Sequence, residues 1–394
     1  MDVPSHKLHP LSCPILVLLL LFAACGTPGK AGSSTPSSTT IAAGTSVIAT
    51  DTPIVGDSQQ AQEIDAYLSH LADTGAFSGS VLLARGNDVL LSKGYGQADE
   101  ENTIPNTSQT RFRIGSNTKQ FTAMAILILQ ERGKLQVQDS VCLYIPDCPS
   151  DWQPITIHNL LTHSSGIPDY INYPGFIPLI GKPATPEQLV ARFINWSLDF
   201  PPGTRWEYSN SNYTLLGYII ERVSGESYAQ FLQDNIFGPL HLSSSGFDSN
   251  TLQPPEHAIG YLKAHHKAAY LDMSEFYAAG ALYSTVGDLY TWDQALLSHQ
   301  LVSQQTMDTM FTPYIPCPSG GCALSSDIGY GYGWFIANES NHRLIYHWGH
   351  IDGFFTSNGF YPEDHVIVVV LSNLETSDVF GISDQLGRML VGIH

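Results

Sequence analysis

Ser116 and Lys119 stand three residues apart in Ser116-Asn117-Thr118-Lys119, at the start of the apolar run 120–129. On a helix, that spacing puts both residues on one face, one turn apart. The hydroxyl and the amine can then meet without help from the rest of the fold. A serine hydroxyl is a poor nucleophile until a base takes its proton, and a desolvated lysine can be that base. The run is apolar nearly all round, which predicts a buried helix whose first turn lines a cleft floor. Positive potential at the helix N-terminus would lower the lysine pKa and stabilise an anion. Alone, the pattern also fits a helix cap and a solvated lysine. Its place at a strand–helix junction, after the extended run 110–114, favours chemistry.

Two further constellations lie downstream. Residues 201–210 form a turn-rich approach, Pro-Pro-Gly-Thr-Arg-Trp-Glu-Tyr-Ser-Asn, to a helix predicted over 211–223 and closed by Gly225. Within it, Tyr208 can act as a phenol or phenolate proton shuttle, and Asn210 can donate an amide proton to a substrate carbonyl. The second is His347-Trp348-Gly349-His350, at the end of a β-type run. Gly349 would let a substrate backbone approach a strand edge closely. The N–H of His350 could then join that of Ser116 in an oxyanion hole.

The ordered set S-x-x-K, Y-x-N and H-x-G resembles the serine penicillin-recognising superfamily: class C β-lactamases, low-molecular-weight DD-peptidases and related esterases. Further stretches are similar to that family: 77–81 with 94–98, 160–170, 279–285 and 331–334. The likeness spans about residues 60 to 392. It implies Ser116 as the acylated nucleophile, Lys119 as its proton acceptor and Tyr208 as the relay to the leaving group. Asn210 would hold the acyl side chain, His347 would fill the place of the lysine in K-T-G, and Gly349 and His350 would border the substrate. The backbone N–H groups of Ser116 and His350 would bind the oxyanion. Trp348 and His350 depart from the pattern, since the family often carries small or hydroxyl residues there. That departure predicts weakened recognition of a substrate carboxylate.

Residues 1–24 read as a signal peptide, with a short apolar core at 15–22 followed by Ala23-Ala24-Cys25. Small residues before Cys25 suggest a lipoprotein signal with Cys25 lipidated; plain secretion and an uncleaved anchor are the other readings. Residues 25–60, rich in Ser, Thr, Gly, Pro and Ala, read as a flexible tether, and 61–394 as the catalytic domain. The product would be exported, as a bacterial cell-envelope lipoprotein or an extracellular protein. The formal net charge of −19, from 36 acidic and 17 basic residues, argues against nucleic-acid binding and against general attraction to anionic lipid. Membrane attachment would come only from the N-terminal lipid, and a monomer acting on a small-molecule, peptide or ester substrate is expected.

Cys142 with Cys148, and Cys317 with Cys322, form two close pairs. Short loops close easily in an oxidising compartment, so two local disulfides are expected. The spacing does not fit zinc. Despite 15 histidines, H-E-x-x-H is absent, as is G-x-S-x-G. No metal or cofactor is expected. His163, in Thr162-His163-Ser164, reads as a helix-end hydrogen-bonder rather than a catalytic base.

The elements needed to position these groups follow an α+β order. A helix at 61–71 precedes a hairpin, 80–84 and 89–94, turning at Gly86-Asn87. A helix-rich middle from 116 to about 299 includes a helix over 186–195, with Thr185 as its cap and Pro186 at the first position. Strands return at 332–337, 343–348, 354–361 and 366–371, and a last helix covers 379–391. Strands from both ends around a helical middle predict one antiparallel sheet flanked by helices and a helical lobe. The resemblance implies the same β-lactamase/DD-peptidase-like architecture, and a serine hydrolase acting through a Ser116 acyl-enzyme on amide or ester bonds. Peptidase, D-amino-acid peptidase, esterase and β-lactamase activities all fit it. A non-catalytic penicillin-binding or sensory module is the reading from another class.

Overall fold

Alternation along one strand explains the layering of the molecule. Val366, Val368 and Val370 pack with Val81, Leu83, Ile64 and Leu386 on one face. Ile367, Val369 and Leu371 pack with Leu82, Ala84, Phe121 and Trp292 on the other. A strand with both faces covered carries apolar side chains at every position, alternately up and down.

The computed structural model describes residues 54–56, 58–252, 254–317 and 328–393. Among these, the strands of the main sheet are β1 (Ile54–Val55), β2 (Gly79–Arg85), β3 (Asp88–Tyr95), β4 (Ile315–Pro316), β5 (Ile328–Tyr330), β6 (Phe335–Glu339), β7 (His342–Ile351), β8 (Phe354–Tyr361) and β9 (Val366–Ser372). Their order is β1-β3-β2-β9-β8-β7-β6-β5-β4, and every pair is antiparallel. β2 pairs directly with β9, which brings the N- and C-terminal segments together at the sheet centre.

The helices are α1 (Gln59–Asp73), α2 (Thr118–Glu131), α3 (Ile157–Leu161), α4 (Pro186–Phe193), α5 (Asn210–Ser224), α6 (Tyr228–Leu232), α7 (Tyr277–Gly280), α8 (Val286–Leu297), α9 (Gln304–Met310) and α10 (Val379–Val391). α1 and α10 cover the outer face of the sheet through Ile64, Leu68, Val379, Ile382 and Leu386. α2 and α8 lie on the inner face. Residues 118–129 of α2 are all buried, as an all-round apolar helix requires. None of the described helices is long and apolar enough to cross a membrane.

Several expected boundaries shift. The hairpin turn at Gly86-Asn87, β8 and α10 lie where the sequence predicts them. The expected strand 332–337 begins instead at Phe335. Residues 331–334 form a turn closed by the Gly331 N–H donating to the Trp334 carbonyl. The tether expected to run to residue 60 ends earlier, because Ile54 and Val55 pair with Ser92 and Leu91, and α1 opens at Gln59. Cys142 and Cys148 are disulfide-bonded. Cys322, the expected partner of Cys317, lies outside the described residues, as do Cys25, the signal segment and nearly all of the tether.

Candidate active site

Gly115 starts the site. It holds φ +51°, a conformation that suits glycine, and it turns the chain out of the short strand Phe112–Arg113 into a 3-10 turn, Gly115–Asn117. Ser116 therefore sits on this tight turn rather than in α2 itself, which starts at Thr118. The intended meeting still occurs, since Lys119 Nζ lies 3.1 Å from Ser116 Oγ. Ser116 is partly exposed, whereas Lys119 is fully buried.

Three further elements converge on the lysine. Lys119 Nζ also donates to Asn210 Oδ1 at 2.8 Å, at the start of α5, and to the Ala279 carbonyl at 2.8 Å, in α7. It lies 4.8 Å from the centre of the Tyr208 ring. Asn210 in turn donates through Nδ2 to Asp169 Oδ2 at 3.0 Å. Burial lowers the Lys119 pKa to about 7, and the Asp169 carboxylate opposes that fall only in part. The same burial raises the Asp169 carboxyl, against its hydrogen bonds and the nearby lysine. Desolvation pushes the Tyr208 pKa up, and the neighbouring Ser116 hydroxyl opposes that rise only in part. At neutral pH the site thus holds a neutral phenol beside an amine that is partly deprotonated. Of phenol and phenolate, the structure favours the phenol, which leaves Lys119 as the group able to accept a proton.

The sheet supplies the opposite wall. β6 pairs with β7 only as far as Tyr346, and beyond it β7 runs past the 3-10 turn. A Cβ on Gly349 would lie 1.9 Å from the Ile114 carbonyl oxygen. The glycine therefore serves a close approach by the protein's own chain. A Cβ on Gly115 would lie 2.9 Å from the His350 nitrogen, so the backbone N–H groups proposed for an oxyanion hole belong to adjacent segments.

His347 points inward and is buried. Its Nδ1 donates to the Trp348 carbonyl at 2.6 Å, because a carbonyl can only accept. Its Nε2 then accepts from the Tyr330 hydroxyl at 3.1 Å. Burial, with a smaller contribution from Lys119, lowers the His347 pKa to about 3, so the imidazole is neutral.

Trp348 and His350 contradict the reading that they stand at the substrate carboxylate. Strand alternation turns both to the outer face. There, Trp348 packs edge-on against Phe380 of α10 at 5.2 Å and Phe355 at 6.1 Å. The His350 ring is 44% exposed and sits 3.1 Å from Glu375 Oε1. The expectation that the His350 side chain binds substrate is corrected accordingly. Its main chain alone borders the site.

A buried polar chain beneath the turn fixes this geometry. Thr356 Oγ1 donates to the Ile114 carbonyl at 2.9 Å and accepts from Asn117 Nδ2 at 2.9 Å. Asn117 Oδ1 accepts from Gln120, whose own oxygen accepts from Trp292 and Asn358. Asn358 then donates to Asp293 at 2.9 Å. Such networks rigidify a site where they are satisfied, as at Thr356, Asn117 and Gln120; beyond these, Asn358 Oδ1 and Asp293 Oδ2 are buried without a partner. Asp169, Ala279 and Thr356 also belong to the site, though no motif in the sequence assigns them a role. Asp169 and Ala279 lie inside the family-like stretches 160–170 and 279–285, and of the two only Asp169 has a side chain that could signal chemistry.

Residues 64–392 match the family described as Beta-lactamase. The chain belongs to that family. PbpX of Bacillus subtilis (strain 168) is 36% identical over 335 residues, covering 84% of this chain and 78% of PbpX. Among solved structures, the octameric penicillin-binding protein homologue from Pyrococcus abyssi is 31% identical, with a TM-score of 0.74 over 84% of this chain and 77% of its own. The D-stereospecific amidohydrolase from Streptomyces sp. is 26% identical, with a TM-score of 0.70 over 82% of this chain and 98% of its own. The β-lactamase/DD-peptidase fold expected from the motifs is therefore the fold of this protein, a serine β-lactamase-fold hydrolase related to penicillin-binding proteins and D-amino-acid amidases.

Proposed function

We propose that the protein hydrolyses amide or ester bonds of small molecules or short peptides through an acyl-enzyme on Ser116. The observation that supports this most is the buried Lys119 amine, with its pKa near 7, placed 3.1 Å from Ser116 Oγ. In acylation, neutral Lys119 takes the Ser116 proton as Oγ bonds to the substrate carbonyl carbon. The N–H groups of Ser116 and His350 stabilise the resulting oxyanion. The proton taken by Lys119 is relayed through Tyr208 to the departing amine or alcohol as its bond to carbon breaks, which returns Lys119 to the neutral form and Tyr208 to the phenol. Water then attacks the acyl-enzyme, gives up a proton through the same pair and releases the acid with Ser116 regenerated.

Among substrates, a D-amino-acid peptide or amide comes first, a reading supported by the names of the penicillin-binding and D-stereospecific amidohydrolase relatives. A specific observation favours uncharged esters and amides as a second reading. His347 is neutral and the His350 side chain turns away from the site toward Glu375, so neither brings a positive charge to a substrate carboxylate. An efficient β-lactamase ranks third on the same ground. Turnover of a D-alanyl dipeptide, a D-amino-acid amide, a nitrophenyl ester and a penicillin ranks these readings in one experiment. Hydrolysis of none of them, with no covalent adduct on exposure to a fluorophosphonate, would leave a binding module instead.

Export and lipid attachment at Cys25 form part of the same proposal, and fractionation of cells expressing Cys25→Ser tests them: the variant should leave the membrane fraction. A monomer is proposed as well. Light scattering tests it, with an octamer like the Pyrococcus protein as the opposing result.

A further inference from the structure

We infer that His163 is the positioning residue for Tyr208, holding the tyrosine from both sides of the chain rather than exchanging protons itself. His163 follows α3 at φ +54°, a left-handed conformation that histidine tolerates better than most residues. From there, its carbonyl accepts the Glu207 N–H at 2.9 Å, and its Nδ1 accepts the Ser209 N–H at 3.2 Å. These are the residues immediately before and after Tyr208. Between them the imidazole lies against the tyrosine ring, with centroids 4.4 Å apart and planes 34° apart.

The surroundings fix the tautomer. A backbone N–H can only donate, so Nδ1 is unprotonated and the proton sits on Nε2. Asn212 Nδ2 lies 3.1 Å from the same Nδ1, consistent with a second donor. Nε2 is buried without a hydrogen-bond partner, and the rings of Tyr213 and Tyr330 lie 5.1 and 5.0 Å from that of His163. A ring so enclosed has no route to a substrate.

What it controls is the register of the approach loop. Asp199 N–H donates to the Gly166 carbonyl, Gly203 N–H to that of Ser164 and Glu207 N–H to that of His163, so the loop is laced to residues 163–166. The Nδ1 bond is the last tie before α5, whose cap residue, Ser209, has no side-chain capping bond of its own. Without it, the Tyr208 ring loses its fixed placement 4.8 Å from Lys119 Nζ. A misplacement of about 1 Å in a proton-transfer group can cost about a hundredfold in rate.

The inference rests on the Ser116 acyl-enzyme reading, and the test separates the two. Three variants are compared by acylation rate, kcat and KM on one neutral ester. His163→Asn keeps an acceptor near the Nδ1 position and tolerates the positive φ, so its kcat should stay within about fivefold of wild type. His163→Gly also relieves the backbone but removes the acceptor, and should lose about 10- to 100-fold in kcat with KM little changed. His163→Gln moves the amide toward the Nε2 position and should lose as His163→Gly does. It decides the matter if the glycine variant fails to fold. Val368→Ala, in the outer-face core, controls for lost stability.

Wild-type kcat in His163→Gly or His163→Gln overturns the inference. So does an equal loss in His163→Asn, or in a Val368→Ala protein of matched melting temperature. Wild-type protein that forms no Ser116 adduct overturns the acyl-enzyme reading and this inference with it. A Ser116 adduct formed at wild-type rate in His163→Gly overturns this inference alone.

Discussion

Acylation should follow the titration of Lys119, and Asp169→Asn should move that titration downward. An ordinary lysine, at 10.5, is neutral in about one molecule in three thousand at pH 7, whereas Lys119, at about 7, is neutral in about half. Burial thus raises the population of the competent base by about a thousandfold near neutrality. The sign is fixed by the base: acylation requires the neutral amine, so the rate should be flat above about pH 8 and fall about tenfold per pH unit below about pH 6. Asp169 reaches the lysine through Asn210 and is the group that favours the ammonium form. Asparagine at 169 keeps an oxygen able to accept from Asn210 but removes the charge. The inflection should therefore move to lower pH, and the variant should keep a larger share of its plateau rate at pH 6 than wild type does. Stopped-flow acylation by a neutral nitrophenyl ester, measured from pH 5 to 9 in both proteins, reads this directly. A flat wild-type profile, or an inflection that rises in Asp169→Asn, would rule out Lys119 as the base held in check by Asp169.

Three further outcomes follow from the geometry. Gly349→Ala would place a methyl group 1.9 Å from the Ile114 carbonyl, so it should displace the nucleophile turn and lower kcat/KM about a hundredfold, checked by ester kinetics. Trp348→Thr should leave the ratio of penicillin to ester acylation unchanged while costing about 3 kcal/mol of stability, because the indole packs on Phe380 across the sheet from the site; denaturant unfolding and the two rates check it. Replacing Cys142 and Cys148 together by serine should cost about 2–3 kcal/mol in denaturant unfolding and leave ester turnover at 25 °C intact, since their loop lies outside the site.

The residues that act through short sequence spacing were legible in the chain. Ser116 and Lys119 meet because three positions make one turn, α10 declares itself by apolar period, and β9 by its continuous apolar run. The strand signal of β7 is equally legible and fixes more than the motif alone. With His347 facing inward, period two already turns Trp348 and His350 away, and their departure from the family pattern loses its meaning for the carboxylate. Two-residue β1 is too short to show a period at all, which is why the tether appeared to reach residue 60. His163 and Asp169 are of another kind. Each acts on residues about forty positions away, through backbone N–H groups or an intervening amide, and no local pattern encodes such a contact.

Ser116 carries the acyl group in the proposed mechanism, and mass-spectrometric mapping of the adduct puts that to the test. Wild-type protein quenched during turnover of a slow ester or after exposure to a labelled penicillin should carry one adduct, on the peptide containing Ser116, and Ser116→Ala should carry none. An adduct on another serine, or undiminished labelling of the Ser116→Ala protein, would contradict the account.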